Sequence, residues 1–345
     1  MELEGPLPEE LGLLTTLKTL VFDGNLLKGE IPDSFAQLTQ LDHLWLARNH
    51  FDGSLPSWIN NVTHLVSLDV SQNRMQGTLP DFSNLALLEM LAVDKNFFTG
   101  RLDTAFSMKN NSDGGGLHKL KYLYLDGNDF QGPLGDDFMD MPSASPLMGL
   151  DISNNALTGT IPSHLFAKFP NLLVFDANSN MLNGRLPASI PATNALEFLA
   201  LFSNMLTGEV PGAMGDLAKL THLDLSQNQF TAFSADLGRL TKLDFLFLAS
   251  NPLPAGPFPT YLSSLTNLEE LSVKNLQLNG TIPSFLGDMK NMVLLDLDGN
   301  NLSGSIPTWV GGLSNLEFLL LNRNMLTSTV PNEIGNLPAL RKCCT

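Results

Sequence analysis

The apolar positions of this chain return at a fixed spacing from one end to the other. The stretch Leu220-Thr221-His222-Leu223-Asp224-Leu225-Ser226-Gln227-Asn228 shows the unit, L-x-x-L-x-L-x-x-N. Alternation puts Leu223 and Leu225 on one face of a short strand, with His222, Asp224 and Ser226 on the other. The final position recurs as Asn25, Asn49, Asn73, Asn96, Asn128, Asn155, Asn180, Asn204, Asn228, Asn251, Leu276, Asn300 and Asn324. The underlying period is 24 residues, with a long step of 32 after Asn96 and one of 27 after Asn128. A buried amide at the turn after each strand can satisfy backbone groups of its own repeat and of the neighbouring one. Leu276 cannot, so one interruption of the Asn ladder is expected, with Asn275 as a partial substitute.

A second segment follows each strand, as in Leu27-Lys28-Gly29-Glu30-Ile31-Pro32, Leu157-Thr158-Gly159-Thr160-Ile161-Pro162 and Leu302-Ser303-Gly304-Ser305-Ile306-Pro307. The Gly permits a bend that a Cβ would obstruct, and the Pro fixes φ and cannot extend a ladder. The pattern lapses at Gly100-Arg101-Leu102-Asp103, at Gly132-Pro133-Leu134-Gly135 and at Thr231-Ala232-Phe233-Ser234, where weaker pairing is expected.

Together the two signatures resemble the plant-type leucine-rich repeat. That repeat is found in extracellular domains of plant receptor-like kinases, receptor-like proteins and polygalacturonase-inhibiting proteins. The resemblance covers essentially the whole chain and implies an α/β leucine-rich-repeat solenoid. Its curved parallel β-sheet would line the concave face, with second short strands on the flank and 3-10 or short helical turns on the convex side. Residues 1–345 then form a single array of about 13 repeats, with partial repeats at 1–16 and 340–345 and an insertion at 101–119.

The 19 basic and 35 acidic residues leave a net charge of −16, which argues against a nucleic-acid partner and leaves open a basic protein or peptide. The chain begins and ends within a repeat and holds no apolar run of about 20 residues, so a longer parent protein is expected. Contact with a membrane would then come only through segments absent from this chain. Cys343 falls on an inward Leu position and reads as a small core residue; Cys344 is assigned to a terminal cap. Sequons at Asn61, Asn110, Asn279 and Asn301 lie outside the strand core and are candidate glycosylation sites.

Candidate chemistry is sparse. His222, Asp224 and Ser226 spell a hydrolase alphabet, yet at alternate positions of one strand their side chains start about 6 to 7 Å apart, too far for a relay. The six histidines show no metal-ligand spacing, and Gly114-Gly115-Gly116 lacks the context of a phosphate loop. The chain therefore reads as non-catalytic, without a cofactor. Asp69, Asp151, Asp176, Asp224 and Asp296 recur in the middle outward column, and the adjacent pair Asp151 and Asp176 could recruit a cation or share a proton.

Aromatic residues in the outward columns are the better candidates. Phe198, Phe202, Phe245 and Phe247 should frame His222 and Asp224 in one patch, while Tyr122 and Tyr124 form a smaller one with Met90 nearby and Trp45 further along. Such patches either contact a ligand or act as lateral ladders that stabilise the strands. Two irregular segments, Pro252 to Pro259 and Ser107 to Gly116, accompany the main patch as candidate ligand loops.

The resemblance implies a recognition domain outside the cell or at its surface, binding a peptide or protein ligand on the concave face, with a co-receptor as a further partner. The alternatives are a secreted inhibitor of a cell-wall hydrolase and an intracellular scaffold. Receptors of this type often hold a ligand carboxylate with paired Arg residues on inner strands. Here no outward strand position is Arg, and Arg48 and Arg323 stand just before the Asn turn, which disfavours a free carboxyl terminus as the ligand.

Overall fold

Each repeat spends three residues in an inner strand, and from Leu20 to Leu319 the middle one is apolar and buried. The computed structural model describes residues 2–102, 106, 116–134, 146–191 and 194–344. They group into two units, Met1–Leu182 and Asn183–Thr345. In the first, the inner strands are Thr19–Val21, His43–Trp45, Ser67–Asp69, Met90–Ala92, Tyr122–Tyr124, Gly149–Asp151 and Val174–Asp176. In the second they are Phe198–Ala200, His222–Asp224, Phe245–Phe247, Glu270–Ser272, Leu294–Asp296, Phe318–Leu320 and Lys342–Cys344. Within each unit neighbouring strands are parallel and in strict register, so equivalent residues of successive repeats stand in columns. This is the leucine-rich-repeat solenoid.

Opposite the inner strands the chain folds into five-residue 3-10 turns, among them Asp33–Gln37, Gly212–Asp216 and Thr308–Gly312. Each of these three follows a Pro in an extended conformation, Pro32, Pro211 or Pro307, whose fixed φ directs the chain into the turn. A short α-helical turn, Leu165–Lys168, replaces the 3-10 form in its repeat. Short parallel strands on the flank complete the repeat. Their Gly is required by conformation, since Gly29, Gly159, Gly208 and Gly304 have φ between 78° and 84°.

The Asn ladder supplies the vertical bonding. Asn228, 6% exposed, donates through Nδ2 to the carbonyls of Leu201 at 2.8 Å, Leu225 at 3.3 Å and Ser226 at 3.1 Å. Its Oδ1 accepts from the Leu206 N–H at 3.0 Å. Asn49, Asn73, Asn96 and Asn300 repeat the arrangement. The residue before the marker is left-handed in every repeat where it is not Gly, for instance Gln72, Gln227 and Arg323 with φ of 51° to 54°. The amide clamps that turn by bonding the two carbonyls on its N-terminal side, which holds a non-Gly residue in a region it otherwise avoids.

Three expectations are corrected. Asn275 does not stand in for the missing ladder amide, because its Nδ2 points to Ser250 Oγ at 3.3 Å. Instead Asn300 Oδ1 accepts from both Leu276 and Leu278, each at 3.0 Å, and Leu253 N–H turns back to the Asn251 carbonyl at 2.9 Å. Flank pairing is interrupted at only one of the lapses, since Gln229–Phe233 ends its flank sheet and does not pair with Gly256–Pro257. Asp129–Pro133 pairs on both sides, and Gln229–Phe233 pairs with Met205–Val210 through a register shift that leaves Thr231 as the extra residue. A one-residue bulge there makes the bend that Gly makes elsewhere, and the absence of Pro keeps every N–H available. Cys343, expected in the core, stands opposite Leu319 in the inward column but is exposed, because its strand has a neighbour on one side only. Of the lapses, Asp103 and Gly135 lie outside the described residues, as do Asn110 and most of the Ser107 to Gly116 insertion.

Replacing Asn228 by Ala strands buried backbone groups of two repeats and is expected to cost about 1 to 3 kcal/mol of stability. Chemical denaturation of the variant checks this, and an unchanged midpoint would show that the amide bonds are energetically idle.

Candidate recognition face

The outward columns of the second unit bring the main patch together. Phe198, His222 and Phe245 are register partners, as are Ala200, Asp224 and Phe247. His222 stacks on Phe198 with ring centroids 4.3 Å apart at 16°, and meets Phe245 at 5.4 Å and Phe247 edge-on at 5.9 Å. All four side chains, with Phe202 and Asp224, are half-buried. Removal from water lowers the His222 pKa, so the ring is neutral near pH 7. Removal from water likewise raises that of Asp224, whose Oδ1 accepts from the Ser226 N–H at 2.9 Å. The carboxylate is thus turned along its own strand while the imidazole is held between aromatic rings, and no relay to Ser226 forms.

Beside the patch lies a shallow cavity of about 450 Å³, bounded by Phe202, Asp224, Phe247, Ser272, Lys274 and Asp296 among others. Its far wall, Ser272, Lys274 and Asp296, leads into a polar network that the spacing of hydrophobic residues did not flag. Ser272 Oγ donates to Asp296 Oδ2 at 3.2 Å, and Asp298 takes Arg323 in a two-pronged ion pair, 3.0 Å from Nε and 2.6 Å from Nη2, with Lys274 at 3.3 Å. The Arg323 hydrogen bonds, opposed by burial, hold the Asp298 carboxyl below its usual range. A second apolar group, Leu294, Phe318 and Leu320, was also missed; Leu294 and Phe318 are register partners and all three are half-buried. The signal was present in the sequence, as apolar residues at outward positions of two consecutive strands.

In the first unit Tyr122 and Tyr124 stack at 6.2 Å and 17°. Tyr122 stands opposite Met90 on one side and Gly149 on the other, and a Cβ on Gly149 would lie 3.1 Å from Tyr122 Cδ1, so the ring lies across the glycine. Trp45 sits three strands from Tyr124, donating from Nε1 to Ser67 Oγ at 2.8 Å. Around the tyrosines the acidic column is partly desolvated. Asp151, opposite Asp176, has its pKa pushed up to about 6 chiefly by burial, and so does Asp94, to which Asp126 adds repulsion. Lys95 bridges Asp94 and Asp126 at 3.4 and 3.1 Å. Among the described residues no set of three or more His, Cys, Asp or Glu is placed to hold a metal ion, and no helix is long and apolar enough to cross a membrane.

The folded carboxyls of Asp94 and Asp151 keep a proton up to about pH 6, whereas unfolded ones lose it near 3.8. Their contribution is therefore most favourable below the unfolded pKa and is lost as pH rises through 6. Asp151→Asn is expected to raise the unfolding temperature at pH 7.5 by about 2 to 4 °C and to leave it unchanged near pH 4. Thermal melts at the two pH values check the sign.

The Leucine Rich Repeat family matches the chain at residues 16–38, 40–62, 147–167, 219–240, 291–313 and 315–337. Cuscuta receptor 1 of Solanum lycopersicum is 33% identical over 189 residues, which are 53% of this chain and 16% of that protein. Among solved structures, a TDR receptor is 32% identical with a TM-score of 0.84, covering 98% of this chain and 57% of that one. The plant peptide hormone receptor RGFR1 in complex with RGF2 is 27% identical with a TM-score of 0.76, covering 98% of this chain and 60% of that one. The chain thus spans less than two thirds of the length of each of these three proteins. In its repeat signature and its fold the chain is a leucine-rich-repeat solenoid, and it is similar to plant leucine-rich-repeat receptors.

Proposed function

We propose that the chain is a non-catalytic extracellular recognition domain that binds a peptide or protein ligand on the outward face of its inner strands. The observation that carries this reading is the half-exposed cluster of Phe198, Phe245 and Phe247 around a neutral His222, with Phe202 and Asp224 at its edge. The buried column on the other side of the same strands already supplies the core, so rings of this size are not needed outward for folding. An apolar surface with a polar centre and an adjoining cavity is what an interface anchor requires. Tyr122 and Tyr124 form a second contact area in the first unit.

Two likenesses support the assignment of ligand class. Cuscuta receptor 1 is named a receptor, and RGFR1 is described as a peptide hormone receptor in complex with RGF2. The net charge of −16 suits a basic ligand and no nucleic acid. Arg323, which shares Asp298 with Lys274, is committed to that carboxylate by two hydrogen bonds and is not an open guanidinium for a ligand carboxylate. In the secretory route Asn61, Asn279 and Asn301, all exposed, would carry glycans. Asn279 and Asn301 are register partners on adjacent flank strands, away from the recognition columns.

The combined substitution Phe245→Asp with Phe247→Asp tests the site. Capture of secreted peptides from apoplastic fluid, followed by mass spectrometry, is expected to lose the species that the unaltered chain enriches, while the unfolding temperature moves by less than about 2 °C. A large fall in unfolding temperature would instead make the rings a structural ladder.

A further inference from the structure

The second unit's face carries two apolar groups separated by an acidic strand, and the spacing between them defines a ligand. Phe245 and Phe247, with His222, make the first group; Leu294, Phe318 and Leu320 make the second. The strand Glu270–Ser272 lies between, with Glu270 in register with Phe245 on one side and Leu294 on the other. At the rim beside Glu270 stand Asp244 and Glu269. No ion pair among the described residues engages Asp244, Glu269 or Glu270, in contrast to Asp298, Glu317 and Asp216, which each hold a cation.

The centres of the two apolar groups are three strand spacings apart, about 14 Å, and Glu270 lies midway at about 7 Å. An extended chain crossing the strands shows alternate side chains to the surface, advancing about 7 Å for two residues and about 13 Å for four. The two periods coincide. We propose that this face takes an extended peptide segment bearing two apolar side chains four residues apart and a lysine or arginine midway, the cation meeting Glu270. This rests on the peptide-binding reading above and narrows it to a chemical class.

Charge complementarity selects the occupant. An apolar side chain at the middle position would bury the Glu270 carboxylate without a partner, and an acidic one would add repulsion to that already exerted by Glu269. Burial, with Glu269, already raises the Glu270 pKa, so the carboxylate is under-solvated before any ligand arrives and a cation relieves it. A helical ligand does not match the geometry, because its same-face residues advance only about 5 to 6 Å per turn and it cannot place three contacts in one line at about 7 Å intervals.

A random dodecapeptide library displayed on phage, selected on the intact chain and on Glu270→Gln and Glu270→Lys variants, tests the proposal. The expected consensus on the unaltered chain has apolar residues at positions i and i+4 and Lys or Arg at i+2, enriched about fivefold over input. The cationic preference should vanish with Glu270→Gln and turn to Asp or Glu with Glu270→Lys. A consensus without a central cation, one indifferent to both substitutions, or one with helical spacing overturns this inference and leaves peptide binding intact. Failure to enrich any peptide overturns both.

Discussion

The fold rests on a carboxamide set under the turn of every repeat but the one marked by Leu276. One Asn side chain such as Asn228 bonds three carbonyls and one N–H, two of the four partners belonging to the neighbouring repeat. One side chain thus satisfies four backbone groups, and unsatisfied groups at that depth would each cost about 1 to 3 kcal/mol. The same bonds brace the left-handed residue before the turn at Arg48, Lys95 and Gln227, although Asn275 keeps that backbone before Leu276 without them. The ladder thereby fixes where the chain leaves the inner strand, and with it the register of every column.

The response at Leu276 shows that the constraint lies in the backbone groups and not in the Asn residue as such. With one amide absent, Asn300 accepts two N–H groups and Leu253 closes a local turn onto Asn251, so the exposed accounting still balances. The flank behaves alike at Thr231, where a bulge performs the bend assigned to Gly208 in the preceding repeat. In both places the geometry of the repeat is preserved by different atoms.

Much of this was legible in the sequence because it is local or strictly periodic. Leu223 and Leu225 declare the inward face, Asn228 the turn, and Gly159 a left-handed residue, all from spacing alone. The ring cluster around His222 was legible too, since strict register turns sequence offsets into neighbours in space. What escaped depends on how unlike residues answer one another across repeats. The extra residue at Thr231 is visible only against its partner strand, and the Arg323–Asp298–Lys274 network joins residues from three consecutive repeats. Pattern reading keyed on aromatic rings also passed over Leu294 and Leu320, which do the same work with aliphatic side chains. The burial of Asp94 and Asp151 was hidden for a related reason: a carboxylate's pKa follows its surroundings, and tyrosines beside an acidic column make those surroundings drier than an Asp-rich stripe implies.

Alternation along the inner strand separates folding from recognition within three consecutive residues. In His222–Asp224 the middle residue is committed to the core, and the two flanking ones point away from it with no role in the ladder. Changing an outward residue therefore alters the surface without disturbing register, because register is set by the Asn bonds and the buried Leu column beneath. That independence lets one unit place rings at Phe198 and Phe245, a carboxylate at Glu270 and aliphatic side chains at Leu294 and Leu320 on successive strands about 4.8 Å apart. The surface is thus written along the columns while the fold is written along the chain. Specificity in such a molecule resides in the order of unlike residues across strands, and a ligand that is itself extended, with its own period of two, is the partner whose spacing can match it.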